Sequence, residues 1–425
     1  MAKLKFQTPT GMKDILPQDQ PYFRTIIEVV DKFAQFYGFL KIDPPILENL
    51  ELFEKGTGQS TDIVEKQMYI LKTKGGEYLA LRPEFTPSLA RAYFEHGMID
   101  LPHPVKLYTY GPLFRHERPQ AGRFRQFHQF NFEVIGSSKP IIDVEIIFLC
   151  YNLLKELKVP ELVVRINSIG DSQCRPYYKK VLVKYLRAQE RYLCPDCKRR
   201  LKKNPLRVLD CKVEKCQKVI REAPQIIDHL CEECHNHFKK VLEYLDDLEI
   251  PYLLDPYLVR GLDYYTKTVF EIVSETEEGK KVGSLVGGGR YDGLLKIIGK
   301  KDIPACGAAG GIERILHLIK NQLKIEETQP KVFIAQLGEK AKIQTLKLIE
   351  QFRKKGLLVK FVLSKDSLRN QLKIADKLGV RYVILIGEEE ALKNEVIIRD
   401  MESGKQKTVK INNLFKEIKK LLKKK

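Results

Sequence analysis

The residues between 111 and 136 combine arginines with carboxylate and amide side chains in two strand-like stretches joined by a charged turn. The arginines and the acidic residue of the turn are Arg115, Arg118, Arg123, Arg125 and Glu117. Guanidinium groups bind phosphate oxygens bidentately, so this arrangement suits an anionic substrate. Gln129 and Glu133 share a strand parity and face one side, where they can hydrogen-bond to an amine, hydroxyl or imidazole group. The alternative is a pair of exposed strands with a charged rim.

A second segment, VRGLDYYTKTVFE at 259–271, places Arg260 near Asp263 and the adjacent tyrosines Tyr264 and Tyr265. We interpret residues 257–273 as a strand. The two tyrosines then point to opposite faces, and only one of them reaches any single pocket. The alternative is a turn with two core tyrosines.

Two glycine-rich segments, GGGRYDG at 287–293 and GAAGGIER at 307–314, lack the residue order of a Walker loop or a Rossmann fingerprint. Their glycines let the backbone approach a flat ligand or a neighbouring strand. Arg314 lies in the first turns of the following helix, within reach of an anion at the glycines. Because no Ser–His–Asp order, HExxH motif or paired-carboxylate arrangement stands out, we expect catalysis by positioning and electrostatics, as in phosphoryl and adenylyl transfer.

The segment 171–250 is rich in cysteine and basic residues, and we interpret it as a mainly helical insertion. It contains two CxxC pairs, Cys194 with Cys197 and Cys231 with Cys234. Two such pairs suit one tetrahedral Zn²⁺ site, to which each pair supplies two thiolates. The alternative is that reduced thiols pack the core of a small helical insertion. Three other cysteines are interpreted as ordinary core or surface residues: Cys150, Cys174 and Cys306.

Strands and helices surround these segments. Apolar residues at helical spacing predict a helix over 20–39, and Glu84 and Thr86 lie in the first turn of a helix predicted over 84–97. Strands are predicted at 78–82, 105–110, 111–117, 125–136 and 161–170. After a polar linker at 324–330, three strand patterns alternate with helices, which predicts a βαβαβ unit closed by an amphipathic helix.

The chain has 425 residues and a formal net charge of +19. Residues 331–425 hold 24 Lys and Arg against 11 Asp and Glu (+13), and residues 191–240 hold 13 against 7 (+6). Two basic segments on a near-neutral body indicate a protein that binds a polyanion, and the alternative is a lysine-rich solvated surface. No apolar run reaches the ~18–20 residues that cross a bilayer, and the N-terminal sequence lacks a secretory signal. We therefore expect a cytoplasmic protein without a membrane partner.

Together these segments resemble the histidyl-tRNA synthetases of bacterial type, a family of class II aminoacyl-tRNA synthetases. FRHERPQAGRFRQFHQFNFEVIG (114–136) resembles motif 2 of that class in its histidyl form, GIERI (311–315) resembles motif 3, and FYGFLKIDPPILE (36–48) resembles motif 1. LVRGLDYYTKTVFE (258–271) and SLVGGGRYDGLL (284–295) are similar to the two histidine-specific segments, and LRPEFTPSLAR (81–91) is similar to the amino-acid-binding turn. The resemblance covers nearly the whole chain.

The resemblance implies an α+β fold, with a class II catalytic domain on a mostly antiparallel sheet at 1–170 and 251–325. It also implies a helical, Cys-rich insertion domain at 171–250 and an α/β anticodon-binding domain at 330–425. The implied reaction joins L-histidine to tRNA(His) through histidyl-adenylate, with ATP as co-substrate and Mg²⁺ as its counter-ion. Motif 1 implies a homodimer. The family does not depend on zinc, so a structural Zn²⁺ rests on the cysteines alone.

The resemblance also implies roles for individual residues. Arg115 would hold the α-phosphate of ATP, Arg314 would hold the far end of the triphosphate, and Arg260 would stabilise charge at the reacting carboxylate and the α-phosphate. The side chains that would bind histidine are Glu84, Phe85, Thr86, Gln129, Glu133, Arg260, Tyr264 and Tyr265. Of these, Glu84 and Thr86 would take the α-amino group, and Glu133 and Tyr265 the imidazole nitrogens. Phe85 stands where the more common sequence of the family has a smaller residue, so we expect a local change in the packing of this turn.

One alternative is the synthetase-like regulatory subunit of ATP phosphoribosyltransferase, a binding protein that keeps the fold without aminoacylation. That subunit usually lacks the complete RGLDYY segment, the arginine-rich motif 2 and the C-terminal domain, and this chain has all three. A second alternative is a signalling protein with a degenerate synthetase domain that senses uncharged tRNA. The intact motifs argue against it.

Overall fold

The computed structural model describes residues 6–58, 61–120, 122–275, 283–323 and 330–423. The chain divides into two compact units, Met1–Lys324 and Ile325–Lys425. Among the described residues, no helix is both long enough and apolar enough to cross a membrane.

The first unit contains strands and helices in mixed order along the chain. Its strands are β1 (Leu40–Lys41), β2 (Leu47–Asn49), β3 (Tyr69–Lys72), β4 (Tyr78–Leu81), β5 (Val105–Phe114), β6 (Gln126–Ile135), β7 (Leu162–Ser168), β8 (Tyr252–Leu254), β9 (Thr266–Ser274), β10 (Val286–Arg290) and β11 (Ala305–Gly311). Its α-helices are α1 (Gln20–Phe36), α2 (Leu50–Thr57), α3 (Thr86–Glu95), α4 (Pro140–Glu156), α5 (Arg175–Ala188), α6 (Pro195–Lys203), α7 (Glu214–Ile220), α8 (Glu232–Asp247), α9 (Leu294–Gly299) and α10 (Ile312–Ile319). A π-helical turn at Ile63–Gln67 and short 3₁₀ turns at Met98–Asp100, Glu190–Tyr192, Pro205–Val208 and Ile226–His229 complete it.

An eight-stranded sheet with the order β1-β5-β6-β11-β10-β9-β7-β8 organises this unit. Only the outermost pairs, β1 with β5 and β7 with β8, are parallel. The inner neighbours are all antiparallel. The structure therefore confirms the expected α+β fold on a mostly antiparallel sheet. A separate three-stranded sheet has the order β2-β4-β3.

Helix α1 packs on one face of the large sheet. Its buried residues Ile26, Val30 and Ala34 are four positions apart, so they form a single apolar stripe along the helix. This stripe belongs to a hydrophobic core that also includes α4 and the central strands. The packed core holds β6, β10 and β11 in place, and those strands carry much of the site described below.

The segment 171–250 is helical and packs on both faces of the sheet, because α8 joins the core that contains α1 and α4 whereas α5 lies on the opposite face. Tyr178 and Leu182 of α5 belong to the same hydrophobic cluster as Tyr264 and Tyr265. A buried ionic group also anchors α8, because Asp143 of α4 accepts hydrogen bonds from Arg290 and from His237 (Nε2–Oδ2, 2.7 Å). A paired and hydrogen-bonded charge tolerates burial that an isolated charge does not. The insertion is thus packed against the elements that form the site.

Two strand boundaries differ from the prediction. The strand predicted over 257–273 begins only at Thr266, and residues 257–265 form an irregular segment of turns. The prediction was wrong there because aromatic and β-branched residues favour a strand, whereas the chain turns through Gly261. The strands predicted separately at 105–110 and 111–117 form the single strand β5. Helix α3 also begins later than predicted, at Thr86, so that Glu84 lies before it.

The second unit is a five-stranded sheet flanked by helices, with the order β13-β12-β14-β15-β16. The elements are β12 (Val332–Gln336), α11 (Glu339–Lys354), β13 (Lys360–Phe361), α12 (Leu368–Lys377), β14 (Tyr382–Ile386), α13 (Glu388–Lys393), β15 (Glu395–Asp400), β16 (Gln406–Lys410) and α14 (Ile411–Lys423). Strand β12 is parallel to β13 and β14, as the βαβαβ pattern predicts. The antiparallel strands β15 and β16 extend that pattern and were not predicted.

Candidate functional site

A cleft opens over the middle of the eight-stranded sheet, where β6, β11, β10 and β9 lie side by side. Its cavity volume is about 220 Å³. Nine of the ten site residues predicted from the sequence line it: Glu84, Phe85, Thr86, Arg115, Gln129, Arg260, Tyr264, Tyr265 and Arg314. The tenth, Glu133, is buried directly beside Thr86.

Glu84 is buried in the wall of the cleft, just before helix α3. Its carboxylate accepts hydrogen bonds from the Thr57 hydroxyl (Oγ1–Oε1, 2.6 Å) and from the Tyr264 hydroxyl (Oη–Oε2, 2.6 Å). Burial raises the pKa of Glu84, and the two hydrogen bonds and the charge of Arg115 oppose that rise. Both hydrogen-bond donors are neutral, so they orient the carboxylate without neutralising it.

Glu133 on β6 is the second buried carboxylate. Oε1 accepts hydrogen bonds from the Thr86 hydroxyl (2.6 Å) and the Asn131 amide (Nδ2, 2.6 Å), and Oε2 accepts one from the Tyr291 hydroxyl. Burial raises the pKa of Glu133 to about 7, and the charge of Glu84 adds to the rise while the three hydrogen bonds oppose it. A carboxyl group with this pKa changes its charge near neutral pH.

Glycines in the neighbouring strands make room for the site's charged groups. A Cβ atom at Gly307 of β11 would collide with the Glu133 carboxylate, and one at Gly287 of β10 would collide with the Arg260 guanidinium. Any larger residue at either position would therefore displace one of these groups. These contacts explain one glycine in each glycine-rich segment, Gly287 and Gly307. Close approach of the backbone to a neighbouring group was the prediction made for these segments.

Tyr264 and Tyr265 both line the cleft, which corrects the expectation that only one of them would reach it. They lie before β9 in irregular backbone, so the strand rule of alternating faces does not apply to them. Their ring centroids are 4.8 Å apart, and the Tyr264 ring also packs edge-on against Tyr291 at 5.6 Å. Burial raises the pKa of Tyr265 to about 12, so its hydroxyl keeps its proton at neutral pH and can donate it.

The side chain of Arg260 is mostly buried in the wall of the cleft (17% exposed). Its Nη1 forms an ion pair with Oε1 of Glu271 on β9, and its guanidinium lies 5.7 Å from the centre of the Tyr265 ring. Burial disfavours its charge, but Glu271, Tyr265 and Tyr264 together outweigh that effect, and the pKa of Arg260 is raised. The Nε atom is buried and has no hydrogen-bond partner among the residues that the structure describes. The guanidinium is therefore charged and fixed in position, and it can donate further hydrogen bonds.

Arg115, Arg123 and Arg314 lie together at the other end of the cleft. Arg115 donates to the Pro83 carbonyl (2.9 Å), and Arg314 donates to the Ser284 carbonyl (2.8 Å). Burial lowers the pKa of Arg314, and the charges of Arg123 and Arg115 lower it further. Mutual repulsion of this kind indicates a cationic site that an anion would stabilise.

Phe85 and Gln129 also line the cleft. Phe85 is buried, and the guanidinium of Arg82 lies over its ring at 4.6 Å. Gln129 on β6 lies opposite Gly111 of β5 and Gly311 of β11, neither of which has a side chain that could cover it. Gln129 is therefore not covered by the side chains of its paired residues and contributes to the lining of the cleft.

The sequence reasoning missed four residues that shape the site: Thr57, Asn131, Glu271 and Tyr291. Asn131 shares the strand parity of Gln129 and Glu133, and Tyr291 lies within the quoted GGGRYDG segment, so both carried a sequence signal. Glu271 likewise ends the quoted VRGLDYYTKTVFE segment, whereas Thr57 carried no signal because its role depends on the approach of a distant segment to Glu84.

The cysteines of the insertion form two groups, which corrects the prediction of one site built from both CxxC pairs. The first cysteine cluster consists of Cys194, Cys197, Cys211 and Cys216. The second cysteine cluster consists of Asp171, Cys174, Cys231 and Cys234, so Cys174 is not an ordinary core residue. The two CxxC pairs are separated because each begins a different helix, α6 and α8.

The cleft thus has a carboxylate end and an arginine end. The carboxylates suit a ligand with an amine or imidazole, and the arginines suit phosphates, with Arg260 placed to stabilise charge at a reacting carboxylate. A mostly antiparallel sheet with such a cleft, joined to an α/β unit, is the organisation of a class II aminoacyl-tRNA synthetase.

Comparisons with known proteins identify the family within that class. A family model described as histidyl-tRNA synthetase matches residues 11–315, and one described as an anticodon binding domain matches residues 331–421. The chain therefore belongs to the histidyl-tRNA synthetase family. It is 44% identical over 412 residues to a protein of Aquifex aeolicus named histidine–tRNA ligase, with 97% of this chain and all of the other covered.

Solved structures agree with the sequence comparisons. The apo histidyl-tRNA synthetase of S. aureus superposes with a TM-score of 0.78 at 35% identity, covering 97% of this chain and 99% of that one. A Bacillus halodurans structure, titled as an ATP phosphoribosyltransferase regulatory subunit/histidyl-tRNA synthetase, has a TM-score of 0.63 at 21% identity. It covers 91% of this chain and all of that one, and at that identity it shows a shared fold alone.

The raised pKa of Glu133 predicts a specific pH dependence of stability. In the unfolded chain the carboxyl ionises near the ordinary value of 4.5, and in the folded protein at about 7. Between these values the unfolded state loses its proton first, so stability falls as pH rises. Glu133→Gln removes the group that causes this dependence. We expect the difference in free energy of unfolding between variant and parent to be more favourable to the variant at pH 8 than at pH 5, by on the order of 3 kcal/mol.

Urea denaturation of the ligand-free protein at both pH values, followed by circular dichroism, measures this difference. Glu77→Gln, which makes the same charge change at an exposed position, serves as the control. An equal effect of Glu133→Gln at both pH values, or a smaller effect at pH 8, would contradict the prediction.

Proposed function

We propose that this protein is a histidine–tRNA ligase, which activates L-histidine with ATP to histidyl-adenylate and pyrophosphate and then transfers histidine to the 3′ end of tRNA(His). Family membership over nearly the full length supports this function. The observation that carries it is the cleft's pairing of two buried carboxylates with a group of arginines. A regulatory subunit without aminoacylation is less well supported, since its likeness rests on fold alone.

Histidine would lie at the carboxylate end of the cleft. Glu84, oriented by Thr57 and Tyr264, would accept the α-ammonium group together with Thr86. Glu133 and Tyr265 would face the imidazole nitrogens, with Tyr264 lining the same region and Gln129 near the substrate carboxylate. A site that hydrogen-bonds an imidazole rejects an isosteric apolar side chain by ~10⁴–10⁵, because its own polar groups are then left unpaired.

ATP would lie at the arginine end. Arg115 would bind the α-phosphate and Arg314 the far end of the triphosphate, where Arg123 adds a third positive charge. Mg²⁺ would enter as the counter-ion of the triphosphate, and Glu117 supplies the cleft with an oxygen ligand of the kind Mg²⁺ prefers.

Adenylate formation follows from this arrangement. A carboxylate oxygen of histidine attacks the α-phosphorus, the new P–O bond forms, and the bond to the bridging oxygen breaks to release pyrophosphate. The attack brings two anions together, so the charge of Arg260 and Arg115 lowers the barrier directly. Glu271 and the Tyr265 ring would keep Arg260 in the productive position.

The second unit would bind the anticodon region of the tRNA. Residues 331–425 carry a net charge of +13, and residues 331–421 match an anticodon-binding domain. Contacts from Lys and Arg to phosphates would supply much of the affinity.

A homodimer is part of this proposal. The segment that resembles motif 1 exposes apolar side chains, among them Phe36 (85% exposed) and Leu40 (64% exposed). Leu40 lies on β1, an edge strand of the large sheet. Exposed apolar groups next to a sheet edge are typical of an interface rather than of a solvated surface.

Amino-acid-dependent exchange between ATP and pyrophosphate, run with each of the twenty amino acids, tests the proposed reaction. We expect exchange with histidine alone, and a loss of at least ~10²-fold in Arg260→Ala because a buried charge at the reacting centre is removed. Arg353→Ala removes an exposed arginine of the second unit and should leave exchange unchanged. No exchange with any amino acid, or full exchange in Arg260→Ala, would overturn the proposal.

Sedimentation velocity tests the proposed dimer. Leu40→Glu places a charge in the apolar edge and should convert a dimer into monomers. Leu392→Glu makes the same substitution at a similarly exposed leucine (62%) of the second unit and should leave the dimer intact. A monomeric parent protein at micromolar concentration, or a dimeric Leu40→Glu variant, would contradict the assignment.

A further inference from the structure

Two groups of metal-ligating side chains lie outside the cleft, the first and second cysteine clusters defined above. In each cluster the four ligand atoms all lie within 4.8 Å of one another. None of these eight residues is among the described residues that line the cleft. The proposed reaction makes no use of them, so their convergence needs a separate explanation.

The spacing within each cluster matches tetrahedral metal coordination. A Zn–S distance of about 2.3 Å places two tetrahedral thiolates roughly 3.8 Å apart. The Sγ atoms of Cys194 and Cys211 are 3.9 Å apart, and those of Cys174 and Cys231 are 3.5 Å apart. Both separations are far longer than the ~2.05 Å of a disulfide bond.

Backbone amides in both clusters point at the sulfur atoms. Cys197 N–H donates to Cys194 Sγ (3.4 Å) and Cys194 N–H donates to Cys216 Sγ (3.2 Å). In the second cluster, Cys231 N–H donates to Cys174 Sγ (3.3 Å). Such hydrogen bonds stabilise thiolates and orient them, as the surroundings of structural metal sites do.

The packing of neutral thiols explains this geometry less well. Thiols that only fill a hydrophobic core have no reason to converge in fours. Asp171 accepts a hydrogen bond from the backbone N–H of Gln173 (2.9 Å) just before α5, and the same carboxylate lies 3.4 Å from Cys174 Sγ in the second cluster. A carboxylate and three thiolates form, by contrast, a complete ligand set for a tetrahedral ion.

We propose that the chain binds two Zn²⁺ ions, one held by the four thiolates of the first cluster and one by Asp171 and the three thiolates of the second. Soft thiolate ligands in tetrahedral arrangement select zinc among the common divalent ions. Protein side chains fill all four positions at each ion, so both ions are structural and not catalytic.

Each ion holds backbone that supports the cleft. The first cluster closes the segment 194–216, from which Arg200 and Arg207 pair with Asp62 and Arg207 donates to the carbonyl of Arg260 (3.2 Å). The second cluster joins the start of α5 to the start of α8. Arg175, the first residue of α5, donates to the carbonyl of Tyr265.

Metal content of the purified full-length chain, measured by plasma mass spectrometry and by native mass spectrometry, tests the proposal. We expect two zinc ions per chain. Cys197→Ser should lower the content to one by emptying the first cluster, and Cys234→Ser should lower it to one by emptying the second. Cys150→Ala, which replaces a buried cysteine outside both clusters, should retain two.

The variants separate this assignment from a single site shared by both CxxC pairs. A shared site gives one ion in the parent protein and none in either variant, and that result would overturn the proposal. A parent protein that contains no zinc would overturn it as well. Should a variant fail to fold, cobalt titration of the metal-free parent replaces it. Thiolate-to-cobalt charge-transfer absorption should saturate at two ions per chain, and saturation at one would overturn the proposal.

Discussion

The structure depends on the burial of two carboxylates, Glu84 and Glu133, in a single cleft. The hydrogen bonds to them come from hydroxyl and amide groups, which are neutral. Burial without a paired cation raises the pKa of both groups. Burial disfavours the ionised form of each carboxyl group, so a cationic ligand that paired with the carboxylates would offset that cost.

Neighbouring groups fix the positions of Glu133 and of Arg260. Glycines at 287 and 307 leave space for Arg260 and Glu133 on adjacent strands, and Glu271 holds Arg260 by an ion pair. A substrate with an ammonium group at one end and a carboxylate at the other would thus lie across the cleft, with its carboxylate toward the phosphates. The insertion contributes from outside, through backbone contacts of Arg175 and Arg207.

The sequence predicted those parts of the fold and site that depend on local pattern. Strand alternation correctly placed Gln129 and Glu133 on one side of β6, and the arginine spacing anticipated the cationic end of the cleft. The strand assigned to Tyr264 and Tyr265 was wrong, because residue propensity does not reveal a turn imposed by packing. Likewise, spacing along the chain could not tell which cysteines meet, since Cys174 and Cys231 approach only when α5 and α8 are packed. The roles of individual site residues in the reaction stay predictions.

Calorimetric titration at pH 8 with two analogues measures whether the buried carboxylates recognise the ammonium and imidazole groups of histidine. Histidinol keeps the ammonium and imidazole groups but lacks the carboxylate, whereas imidazolepropionate keeps the carboxylate but lacks the ammonium. We predict that histidinol binds within about 10-fold of histidine, and that imidazolepropionate binds at least about 100-fold more weakly, because Glu84 is left buried and unpaired. Imidazolepropionate binding as tightly as histidinol, or more tightly, would contradict the account.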